Sequence, residues 1–182
     1  MKAIDAANYL VFLMSDVCDD LTNMKINKLL YYAQGYYLRK YGIPMFADSF
    51  EAWDHGPVVP SVYTKYKKYG DNSITSWDME LLREVPENTS NILLDVAREY
   101  GKFTASALRS MTHILGGPWD QVYSTNRMHI EIPINSIKDF FDSDGVKEIK
   151  AVELSLSDDD FVGYRDENDT LVLPSDWNDE AL

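Results

Sequence analysis

The chain has 182 residues, 45% of them hydrophobic and 26% charged, with a net charge of −13 and one cysteine, Cys18. That is the profile of one globular domain plus an extension, of a size that buries roughly 70% of its unfolded surface and folds without a metal or disulfide. A lone thiol excludes an internal disulfide, and no apolar run approaches the roughly 20 residues of a membrane helix.

The N-terminal stretch has no small-residue cleavage site and does not read as a signal peptide, so the expected compartment is the cytoplasm. Cys18 reads as a small core residue. The charge is unevenly spread. Nine acids face Arg165 alone between Ser157 and Leu182, whereas seven bases face three acids between Asn23 and Tyr69. Overall repulsion from phosphates argues against nucleic acid as a partner.

In chain order, Ile4, Ala7, Val11 and Met14 form the stripe of a helix over Ala3 to Met14. Ile26, Leu29, Leu30, Ala33 and Tyr37 predict a second helix, capped at Thr22 or Asn23 and stopped by Gly42 and Pro44. Ser49 to Trp53 reads as a strand, and Gly56-Pro57 as punctuation. Pro60 opens a third helix that ends at Gly70. Further helices are expected over Asn88 to Tyr100 and Ala105 to Leu115, the latter capped by Thr104. A short helical turn follows over Trp119 to Tyr123, then a strand over Ile130 to Ile134 and a last helix over Ser136 to Phe141.

Beyond Gly145 the hydrophobic period shortens. Val152, Leu154 and Leu156 alternate with polar residues, and Phe161–Tyr164 and Thr170–Leu173 flank a hairpin connection. The expected organisation is a mainly α (α+β) domain over 1–144, compact and helical with a small strand pair. A β-rich acidic C-terminal extension follows over 145–182.

Catalytic patterns are missing. His55, His113 and His129 are far apart in sequence and have no second ligand at metal spacing. There is no Cys-x-x-Cys pair or Walker-type glycine loop, and Asp158-Asp159-Asp160 lacks the alternating ligands of a calcium loop. The expectation is a non-enzyme with no cofactor and no metal. Twelve tyrosines are the positive signal. Tyr31, Tyr32, Tyr36 and Tyr37 diverge by about 100° between sequence neighbours, so one helix face cannot bury them all. Tyrosine joins contact area to a polar tip and is favoured at protein interfaces.

Asn23 to Gly35, with Asn27-Lys28-Leu29-Leu30-Tyr31-Tyr32-Ala33-Gln34 at its centre, resembles the opening signature of the Panacea-domain family of SocA-like antitoxins and phage-associated proteins. Glu51-Ala52-Trp53-Asp54-His55-Gly56-Pro57-Val58-Val59-Pro60, with Val62-Tyr63, Tyr66 and Tyr69-Gly70, is similar to its second block. Thr112-His113 with Gly117-Pro118-Trp119, and Ile132-Pro133 before Ile137–Phe141, resemble two more. One departure is Ile114-Leu115-Gly116-Gly117, where the pattern has an acidic residue.

The resemblance runs from about residue 3 to 142. It implies a helical domain with Ser49–Trp53 beside Ile130–Ile132, and an antitoxin that binds a cognate protein toxin. It leaves open an adaptor or regulatory role toward a protease or chaperone, and gives no reason to expect a membrane partner. The residues expected to meet a partner are Tyr32, Tyr36, Trp53, Asp54, His55, Tyr63 and Lys67. Asp158, Asp159 and Asp160 are expected to attract a basic toxin.

Overall fold

The structure, a computed structural model, describes residues 1–83, 85–127 and 129–143, and the strand residues 164–165 and 171–172. The chain divides into two units, 1–150 and 151–182. Within the first, the described residues form α1 (Ala3–Met14), α2 (Asn23–Tyr41), α3 (Pro60–Tyr66), α4 (Met79–Leu82), α5 (Glu87–Tyr100), α6 (Ala105–Thr112) and α7 (Ile134–Asp142). Strands β1 (Phe50–Trp53), β2 (Gly56–Val58) and β3 (Ile130–Ile132) make an antiparallel sheet in the order β2-β1-β3. The fold is mainly α with one small sheet, as the periodicity predicts.

Helix α2 is the axis of this unit. The Thr22 hydroxyl accepts the Lys25 N–H at 3.3 Å, and Gly42 ends the helix in the left-handed conformation, φ 73°. Packing around it are α1, α3, α5, α6, α7 and β2. It is therefore buried on nearly every side, from Asn23 to Tyr36 except at Met24. Gly35 lets α7 approach: a Cβ there would lie 2.3 Å from a ring carbon of Phe141. Phe141, fully buried, meets the rings of Tyr31, Tyr32 and Tyr36 edge-on, with centroids 5.1–6.0 Å apart.

The structure therefore corrects the placement of Tyr32 and Tyr36, expected at the partner surface. They are only 6% and 5% exposed. Tyr32 stacks on Tyr100 at 4.1 Å, and the Tyr36 and Tyr100 hydroxyls lie 2.6 Å apart. Elements packed on all sides of α2 leave no solvent face on which four tyrosines would diverge, so of the four only Tyr37 remains half-buried.

Other differences have local causes. Gly56-Pro57 is a strand rather than punctuation: β2 pairs with β1 through Trp53↔Gly56 and Glu51↔Val58 around the Asp54-His55 turn. Proline is tolerated there because β2 is an edge strand. β3 pairs Ile132 with Phe50 and stops there, since Pro133 caps α7 and Ile134 belongs to that helix. α6 stops at Thr112, leaving Ile114 and Leu115 exposed. Trp119 to Tyr123 forms hydrogen-bonded turns without an assigned helix, and Met79–Leu82 is a short helix that periodicity missed.

In the second unit, β4 (Tyr164–Arg165) pairs antiparallel with β5 (Leu171–Val172), Tyr164 opposite Val172. These pairs fall inside the expected hairpin. Val152, Leu154, Leu156, Asp158, Asp159 and Asp160 lie outside the described residues.

Candidate functional site

The first turns of α2, the β1–β2 hairpin, the start of α3 and the loop after Tyr123 converge on one pocket of about 520 Å³. Polar side chains of α2 fasten the surrounding segments. Asn27 accepts the Val59 N–H at 2.9 Å and donates to the Asn23 carbonyl at 3.0 Å. Asn23 in turn donates to the Tyr63 carbonyl at 3.0 Å. The Lys28 ammonium donates to the Pro57 carbonyl at 2.8 Å. Gly56, at φ 96°, passes so close that a Cβ would lie 2.7 Å from the Thr112 hydroxyl and 2.9 Å from Lys28 Cε. Farther along, Gln34 receives the Met45 N–H at 2.9 Å and donates to the Phe46 carbonyl at 3.2 Å.

The hairpin carries the outward side chains. Trp53 is half-buried, its ring centroid 4.8 Å from that of Tyr63, which is 39% exposed. His129 meets Trp53 edge-on at 4.7 Å. One oxygen of Glu51 accepts both the Trp53 indole N–H and His129 Nδ1, each at 2.8 Å, which holds the two rings in register. The Trp119 indole donates to the Trp53 carbonyl at 2.9 Å, bracing the hairpin from behind. The Tyr123 hydroxyl donates to Asp54 at 3.1 Å, and that bond raises its pKa.

Lys28 is the electrostatic anomaly. It has no exposure, and burial followed by the nearby Arg109 charge lowers its pKa to about 7. Among the described residues it makes no salt bridge. Burial likewise lowers the His113 pKa, with its Arg109 carbonyl contact opposing. Lys25, by contrast, is paired with Asp20 at 2.5 Å and lies 3.2 Å from Cys18, whose thiol pKa burial raises.

Of the residues expected to meet a partner, Trp53, Asp54, His55 and Tyr63 line this one pocket. Lys67 is exposed on the turn after α3 and is not among its lining residues. Tyr32 and Tyr36 are core. Sequence reasoning missed Asn27, Lys28, Tyr123, Arg127 and His129 as lining residues. The contiguous Asn27-Lys28 pair before an apolar stripe was the available signal for two of them. The described residues hold no His, Cys, Asp and Glu group suited to a metal, and no helix long and apolar enough to cross a membrane.

No solved structure matches the chain. The Antitoxin SocA of Caulobacter vibrioides (strain NA1000 / CB15N) is 30% identical to it over 138 residues, spanning 66% of this chain and 71% of that protein. The profile of the SocA-like antitoxin family with a Panacea domain matches residues 26–120, which include α2 from Ile26 on, the hairpin, α3, α5, α6 and one wall of the pocket. The chain belongs to the Antitoxin SocA-like, Panacea domain family.

Proposed function

We propose that this protein is a non-enzymatic antitoxin, acting in the cytoplasm, that neutralises a cognate protein toxin by direct contact at the face built from Trp53, Asp54, His55 and Tyr63. Family membership supports the antitoxin role. The observation that carries the contact face is the convergence of these four residues, from two elements, on one open aromatic pocket. Half-exposed tryptophan and tyrosine beside charged groups form the kind of patch that dominates protein–protein affinity. The single buried thiol, free of any disulfide, fits a reducing compartment.

The test is binding kinetics with the cognate toxin. Trp53→Ala and Tyr63→Ala are expected to speed dissociation at least about tenfold, the scale of an aromatic anchor lost from an interface. Replacing Asp158, Asp159 and Asp160 by asparagine is expected to slow association at low salt and leave it unchanged at high salt. Unaltered dissociation in both aromatic variants would remove this face from the proposal.

A further inference from the structure

The same pocket has a chemistry that toxin contact does not require. We propose that it binds a small ligand made of a flat ring joined to an anionic group, with the chemistry of a nucleoside monophosphate. The inference stands independently of the toxin reading.

Size is the first argument. About 520 Å³ lies inside the range of roughly 300–1,000 Å³ typical of small-molecule sites, and is larger than a single inserted side chain needs. The walls are the second. Trp53 is set between Tyr63 at 60° and His129 at 88°, so the rings form faces and edges rather than a collapsed stack. Glu51 fixes two of them from behind. His129, which lines the pocket, sits at φ 59°, the left-handed region that non-glycine residues seldom occupy. Ring surface held in place in this way lets a planar ligand stack with little reorganisation.

Charge is the third argument, and it selects an anion. In a chain of net charge −13, the described lining carries Arg127 and Lys28 against Asp54, with the Glu51 carboxylate behind it already bonded to Trp53 and His129. Asp54 is already engaged by the Tyr123 hydroxyl. The exposed Arg127 guanidinium has no hydrogen bond or ion pair among the described residues, and Lys28 holds only the Pro57 carbonyl. Arg109 of α6 and His113 just after that helix lie near Lys28, Asp54 and His55 share the pocket lining with it, and no described carboxylate pairs with it. An anion over this floor supplies the missing counter-charge, while Arg127 offers a planar fork for phosphate oxygens. Ser124 and Thr125 add hydroxyls on the same rim.

The experiment titrates the full chain, without toxin, with AMP, GMP, CMP and UMP by calorimetry and tryptophan fluorescence. The matching nucleoside and inorganic phosphate serve as the two halves of each ligand. At least one monophosphate is expected to bind about tenfold tighter than either half. Arg127→Gln, at an exposed position, is expected to bring its affinity down to that of the nucleoside, a loss of about tenfold, on the scale of one charge-assisted contact. Trp53→Leu is expected to bring it down to that of phosphate, with circular dichroism reporting that each variant stays folded. The protein is expected to take up protons on binding near pH 7.5, seen as heats that differ between buffers of different ionisation enthalpy. Three results overturn the proposal: no response to any monophosphate at millimolar concentration, binding no tighter than phosphate alone, or binding unaltered in both variants. Loss of toxin affinity in Trp53→Leu without monophosphate binding would also overturn it, and would leave the toxin reading standing.

Discussion

Replacing Lys28 with methionine exchanges a buried amine for an apolar side chain of similar length, and its effect should depend on pH. The folded protein holds this lysine at about pH 7, against 10.5 for the free side chain. Between these values the unfolded chain binds more protons than the folded one, so wild-type stability rises with pH through that window and is insensitive to this group below it. At about 1.4 kcal/mol per pKa unit, the wild-type gain between pH 7 and pH 9 is about 2 kcal/mol. Methionine removes that gain, and it also strips the Pro57 carbonyl of its donor at about 1–3 kcal/mol, independently of pH. Urea melts of both proteins from pH 6 to pH 9 measure this directly. The stability difference, wild type minus Lys28→Met, is expected to be flat below about pH 6 and to climb by about 2 kcal/mol from pH 7 to pH 9. Titrations shared by the two proteins cancel in that difference. A difference that stays level across the whole range would show that Lys28 is not held neutral, and the account of the pocket floor would fail.

Gly56→Ala is expected to cost about 3 kcal/mol or more, because a left-handed φ and a 2.7 Å contact with Thr112 are combined at one position; thermal melting would show it, and a change below about 0.5 kcal/mol would refute the packing. Asn27→Ala leaves the Val59 N–H without its acceptor and frees Asn23, an expected loss of about 2–3 kcal/mol, measured by urea melts, with α2 helicity retained in circular dichroism. Truncation after Asp144 keeps Ile137 and Phe141, the last buried residues of α7, and is expected to leave a cooperatively melting helical domain; an insoluble product would place the extension within the core.

Periodicity predicts helices with one wet face most directly. Helix α5 shows its stripe of Ile92, Leu93, Val96 and Tyr100 because Asn91 and Arg98 remain exposed opposite it. Helix α2 was found by the same rule, yet its environment was misread, since a helix wrapped on all sides has no polar face to mark its limits. Local sequence alone therefore assigns Tyr32 and Tyr36 to the surface. The hairpin was half legible: β1 has aromatic strand composition, whereas the pairing of Gly56-Pro57 depends on an edge position that composition does not encode. Trp53, Asp54, His55 and Tyr63 were recognised as a block, but Arg127 and His129 come from a loop some 70 residues later, brought in by β3 pairing with β1. Only tertiary structure joins those halves. Buried Lys28 looked like one more member of a basic segment, because burial of a charge leaves no mark on local sequence.

The way α2 ties its neighbours has a consequence for how such a protein changes over time. Asn23, Asn27, Lys28 and Gln34 spend their polar groups inward, on the backbone of α3, its N-cap, β2 and the loop after α2, so mutations among them loosen several segments. The tip of the hairpin, Tyr63 and Ser124 to Arg127 face outward, where the backbone beneath them is already fixed from below. Drift at the rim can therefore proceed one residue at a time, each step judged by what it does to recognition alone. A library randomised at Asp54, His55, Tyr63 and Arg127 and left untouched along α2 should yield folded members at high frequency, with altered binding preferences on an unaltered frame.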